Sequence, residues 1–166
     1  MLQPTVRRTW APEGHTPVHH SWDRRDRLSA ISAVTVSPKR RRLGLYFEIL
    51  DRNVRTDAFE SFIADVRSQL QRPIIVVMDR LAAHRSAAGR LRARFGKRID
   101  IEWLPAYAPE LNPDEQVWRH SKYVDLANFI PEDVHHLHEA MVESFEGIRN
   151  SQTLLRSFFE HAKLLL

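Results

Sequence analysis

Between residues 43 and 49 the chain alternates: Leu43, Leu45, Phe47 and Ile49 are apolar at every second position, with Gly44, Tyr46 and Glu48 between them. A period of two predicts a strand, because successive side chains leave opposite faces of the backbone. Residues 28–36 are small or β-branched and read as a second strand. Ser37-Pro38-Lys39-Arg40 is a turn segment, so the two strands should pair as an antiparallel hairpin with an irregular connection. Ahead of them, residues 9–17 (TWAPEGHTP) are rich in Pro, Gly and Thr and read as a loop with a turn at Glu13-Gly14.

The period then changes. Phe59, Phe62, Ile63, Val66 and Leu70 share one stripe of a helix over residues 57–70, and Asp57 followed by Glu60 has the spacing of an N-terminal capping pair. After Pro73 comes Ile74-Ile75-Val76-Val77-Met78, a continuous apolar run of strand length that predicts a strand covered on both faces. It stops abruptly at Asp79. Residues 86–97 are basic and helix-prone, and Ile99, Ile101 and Trp103 alternate with Asp100 and Glu102 as a further strand. Three prolines in residues 104–113 forbid regular structure until Asp114, where a helix can begin. Asp114 and Glu115 suit its start because carboxylates oppose the positive end of the helix dipole, and Glu115, Trp118 and Lys122 would share a face. Val134, Leu137, Met141, Phe145 and Ile148 form another stripe, and a last helix should run from Ser151. A hairpin followed by alternating helices and strands predicts an α/β fold, a mixed sheet flanked by helices, in one domain of 166 residues.

Composition narrows the chemistry. There is no cysteine, so disulfides and thiolate metal sites are excluded and any metal must be held by oxygen or imidazole. No apolar run approaches the roughly 20 residues that cross a bilayer, and the start MLQPTVRRTW lacks the apolar core of a signal peptide; a cytoplasmic protein without membrane contact is expected. The net charge of +4 and arginines grouped at Arg24-Arg25, Arg40-Arg41-Arg42 and residues 85–98 suit a polyanionic partner, though solvated helix faces would give the same pattern.

Asp79 closes the most apolar strand, where a charge is costly unless a cation or hydrogen-bond donors meet it. Glu115 opens a helix after a rigid loop leaving the neighbouring strand. Sites in α/β sheets gather where strands end, so the two carboxylates could converge on one rim. Hard divalent cations such as Mg²⁺ prefer carboxylate and water oxygens, and a pair of them supports phosphodiester cleavage and strand transfer. On spacing alone, a plain turn or cap residue is the weightier reading of Asp79.

The segments VVMDRLAAHRS (residues 76–86) and LPAYAPELNPDEQVW (residues 104–118) resemble the second-Asp and Glu motifs of bacterial insertion-sequence transposases related to the mariner superfamily. RRTWAPEGHTPV (7–18), RDRLSAISAV (25–34) and DLANFIP (125–131) follow that family in the same order, so the resemblance covers nearly the whole chain. It implies a ribonuclease H-like fold and a DDE catalytic domain that cleaves DNA at transposon ends and joins it to target DNA. Two Mg²⁺ ions, or Mn²⁺, would be held by Asp79 and Glu115 as catalytic ligands. It also implies DNA as partner, a homodimer or larger assembly on DNA, and a nucleoid-associated location. His84 matches a motif histidine, so a place beside the site, orienting a carboxylate or phosphate, and a purely structural role are equally open. Asp114 falls on a position that the family does not use for metal.

Two departures from the family pattern matter. Arg80 stands where members often carry Asn. The family's first catalytic Asp, on a strand before the TWAP loop, would fall upstream of Met1, as would a helix-turn-helix DNA-binding domain; Asp23 and Asp26 are poor substitutes. The expectation is therefore a catalytic domain with its first strand partly or wholly missing and negligible cleavage by this chain, with a catalytically inactive remnant that binds DNA non-specifically as the rival reading. Arg85, Arg90, Arg92, Arg94, Lys97, Tyr107 and Lys122 are the DNA-binding candidates, Tyr107 by stacking on bases. A different nuclease on the same fold is disfavoured by the Pro-rich Glu motif. His135, His136 and His138 read as a solvated helix face rather than a metal cluster.

Overall fold

The computed structural model describes residues 7–8, 10–15, 18 and 28–165. Its first two strands, β1 (Ser29–Val36) and β2 (Leu43–Leu50), pair antiparallel from Ser29 opposite Leu50 to Val36 opposite Leu43. The connection closes through Ser37 N–H to Arg42 O at 2.8 Å and Arg40 N–H to Ser37 O at 2.7 Å, with Arg40 in the left-handed region at φ 55°. Just inside the turn, Gly44 faces Thr35 so closely that a Cβ there would lie 2.8 Å from the threonine Oγ1. Only glycine fits without displacing that hydroxyl.

Helix α1 (Thr56–Leu70) buries Phe59, Phe62, Ile63 and Val66, as the stripe predicts. The capping expectation is corrected: Arg55 is the N-cap and offers no side-chain bond, Asp57 stands in the first turn, and Glu60 faces the next helix. Strand β3 (Ile74–Met78), helix α2 (Ala82–Phe95) and strand β4 (Ile99–Trp103) form a unit in which β3 and β4 run parallel, Met78 opposite Trp103. The helix starts four residues before the expected Ser86, and Glu60 lies 3.7 Å from Arg90 and 3.9 Å from Arg94.

One face of the β3–β4 pair packs with α1 and α2 on a core that also takes Ile31 and Leu50 from the hairpin. The other face is open. Ile75 is 69% exposed and Val77 58%, beside exposed Asp100 and Glu102, so β3 is covered on one side and not on both. An apolar run cannot by itself distinguish these cases. Among the described residues the ladders are β1–β2 and β3–β4, each strand having one partner.

The opposite face of the hairpin carries α3 (Pro113–His120), α4 (Val134–Asn150) and α5 (Gln152–His161). Leu43, Leu45, Val117, Phe145, Ile148, Leu155, Phe158 and Phe159 form that core, and Leu28, Leu126, Leu137 and Met141 a smaller one beside it. Asp133 and Ser151 cap α4 and α5 with their side chains. Gln152 completes the hairpin's outer edge: its Oε1 accepts from Leu43 N–H at 3.0 Å while its Nε2 donates to Leu43 O at 2.8 Å. Around Glu13-Gly14 the expected turn is present, with His15 N–H on Pro12 O at 3.0 Å and Gly14 at φ 81°. Asp23, Asp26 and Arg24-Arg25 lie outside the described residues.

Candidate active site

Asp79 follows β3 directly, at the same end of the parallel pair as Leu104, whose N–H bonds Met78 O at 2.9 Å. Its Oδ1 accepts from Leu81 N–H at 3.0 Å and meets His84 Nδ1 at 2.6 Å. Since a carboxylate can only accept, Nδ1 is the protonated ring nitrogen in this pair. The imidazole stacks on Phe59 of α1, centroids 4.2 Å apart, and is held between helix and carboxylate. Both contacts use Oδ1, and the side chain remains 42% exposed, so the second oxygen stays outside that network. His84 is therefore beside Asp79.

Glu115 lies in the first turn of α3 and is exposed. The loop before it, residues 104–112, holds a 3-10 turn at Pro109–Leu111, and Asn112 caps the helix by accepting from Asp114 N–H at 3.1 Å. Proline at the first helical position pre-sets the dihedral there and has no N–H to lose. Tyr107, in the same loop, is fully exposed and sits at φ 58°, a left-handed conformation uncommon for an aromatic residue.

Sequence reasoning set Asp114 aside, and the structure gives it the most perturbed carboxyl described. Its Oδ2 accepts from Ser32 Oγ at 2.8 Å and from Trp118 Nε1 at 3.2 Å. Its Oδ1 is shut away from solvent with no partner among the described residues. Burial drives its pKa up from 3.8 to about 6, the two hydrogen bonds oppose the shift and the neighbouring Glu115 charge adds to it. Only the i, i+4 spacing of Asp114 and Trp118 is visible in the sequence; Ser32 shares its strand with the hydroxyls of Ser29 and Thr35, and nothing local singles it out.

Glu115 and Trp118 lie on α3, and after His120 the helix widens into a π-helical turn, Ser121–Asp125, which contains Lys122. There Ser144 Oγ lies 2.8 Å from both Ser121 Oγ and Asp125 Oδ2, and Asp125 Oδ1 lies 3.3 Å from His120 Nε2. Of the basic candidates, Arg92 donates to Ile101 O at 3.0 Å and serves the fold, and Arg90 and Arg94 lie beside Glu60. Arg85 and Lys97 are exposed. His135 pairs with Glu139 at 3.5 Å and His136 Nδ1 accepts from Glu132 N–H at 3.2 Å, so those histidines have separate neighbours. Among the described residues no three acidic or imidazole side chains gather as a metal cluster.

A hairpin joined to a parallel β–α–β unit, with helices on the hairpin's far face and an acid at a strand end, makes this a ribonuclease H-like α/β domain. The chain belongs to the DDE superfamily endonuclease family, whose profile matches residues 1–137. Its fold is similar to a solved chain titled "Crystal structure of the Mos1 Strand Transfer Complex", with a TM-score of 0.60 at 14% identity over 98% of this chain. The match takes in 47% of that chain, so the protein spans about half the length of this relative. No curated protein matches the sequence. No helix among the described residues is long and apolar enough to cross a membrane.

Proposed function

We propose that this chain is the catalytic-domain portion of a DNA transposase, in which Asp79 and Glu115 hold divalent metal ions, Mg²⁺ or Mn²⁺, for cleavage and transfer of DNA strands at transposon ends. The observation that carries the reading is the state of Asp79: one oxygen is tied to Leu81 N–H and His84 and the other stays outside that network. A ligand carboxylate oriented by an imidazole and a backbone amide is the arrangement by which proteins fix metal ligands. The donor set fits a hard cation, since both acids offer oxygen and both reach solvent.

When bound, such ions activate an attacking oxygen and stabilise a leaving one. The chain's own residues do the rest. His84 and Leu81 N–H hold Asp79, and Phe59 holds His84. Exposed Arg85 and Lys97 would meet phosphates, and Tyr107, projecting from the loop before Glu115, offers a ring face to a base. The reading assigns two ligands to this chain and takes a DNA-bound assembly of more than one copy as the working form.

Mn²⁺ binding followed by electron paramagnetic resonance tests it. Asp79→Asn and Glu115→Gln should each weaken binding by about tenfold or more while the fold persists. Unchanged binding in both variants, with DNA affinity intact, would instead leave a protein that binds DNA without a metal centre.

A further inference from the structure

We infer that Asp114 is the positioning residue of Glu115, clamping the first turn of α3 to strand β1 so that the neighbouring carboxylate is presented in one orientation. The inference rests on the reading of Glu115 as a metal ligand. It starts from a cost: one oxygen of a carboxyl group is shut away without a partner among the described residues, a penalty that an apolar side chain would avoid. What the group gives in return is a junction. Ser32 Oγ reaches Oδ2 from β1, 82 residues away in sequence, and Trp118 Nε1 reaches it from one turn further along α3. Asn112 holds the backbone of the same residue through its N–H. Strand, helix and loop thus meet at one side chain, and the next residue is the exposed Glu115.

Consecutive helical residues point about 100° apart, so fixing Asp114 against the strand fixes the direction in which Glu115 leaves the helix. Without the clamp, the first turn of an eight-residue helix is held at that point by the Asn112 cap and the Pro-rich loop. Asp114 then stands to Glu115 as His84 stands to Asp79: each metal-binding carboxylate has a neighbour that spends its hydrogen bonds on orientation.

The test is Mn²⁺ binding by the full chain, read by paramagnetic resonance with circular dichroism as a check on folding. Asp114→Ala should weaken Mn²⁺ binding about tenfold. Asp114→Asn, which keeps an oxygen for Ser32 and Trp118, should restore most of it. In a Glu115→Gln background, Asp114→Ala should have no further effect, because the residue it positions is already lost. If Asp114→Ala does not fold, Ser32→Ala, which removes one arm of the clamp, takes its place in the same comparison. Unchanged affinity in Asp114→Ala or its substitute, or a loss that adds in full to that of Glu115→Gln, overturns the inference. If Glu115→Gln itself binds Mn²⁺ normally, the ligand assignment falls and the inference with it, a result distinguishable from failure of the clamp alone.

Discussion

Two neighbouring carboxyl groups at the start of α3 live in different surroundings: Glu115 is exposed, whereas Asp114 is half-buried, with its Oδ1 shut away from solvent and its pKa raised to about 6. The folded protein keeps the Asp114 proton up to about pH 6, whereas the unfolded chain releases it near 3.8. The native state therefore binds more protons between those values, and its stability falls as pH rises through that window, by about 3 kcal/mol, then levels off. Asp114→Asn should remove this slope, as urea denaturation at pH 4, 5, 6 and 7 would show; parallel curves for the two proteins would contradict the burial. The place of Asp79 at a strand end was legible in the sequence because an apolar run ending in an acid is locally visible, while its reading as a ligand came from the family motif. Asp114 was not legible, since what makes it unusual is a serine on a distant strand, and tertiary contacts of that kind leave no local pattern.

At the scale of elements, α3 is pinned at both ends, by Asp114 on β1 and by the π-helical turn on α4. The buried Ser144 hydroxyl lies within hydrogen-bond distance of both Ser121 and Asp125, so Ser144→Ala leaves polar atoms without their partner. It should destabilise by about 1–3 kcal/mol in chemical denaturation. A neutral result would mean that the widened turn holds without α4. Stripes of period 3.6 announced α1 and α4 correctly, because each buries one face, and the period of two announced β2, although the hairpin meets a core on both sides. The start of α2 was missed because Ala82 and Ala83 carry no apolar period of their own, and the open face of β3 because coverage depends on what packs above a strand.

At the scale of the molecule, the hairpin lies between two cores, one shared with the β3–β4 unit and one made with the last three helices. Element order and fold class followed from the alternation of periods, while the separation into two ladders depends on pairing that no single segment reveals. The basic surface likewise divides only in three dimensions. Lys97→Ala should lower DNA affinity and reduce the log–log salt slope by about 0.9, the value for one lost phosphate contact. Arg92→Ala, which cuts a bond to Ile101 O, should lower stability instead. The reverse assignment would move the DNA path away from Lys97.

The central claim, that Asp79 and Glu115 share a metal centre, is tested most directly by adding Fe²⁺ to the full chain in place of Mg²⁺ and reacting it with peroxide and ascorbate. Hydroxyl radicals cut the backbone next to the bound iron, so the account predicts two cuts, one beside Asp79 and one beside Glu115, both suppressed by excess Mg²⁺. Cuts at only one of these positions, or at neither, would contradict it.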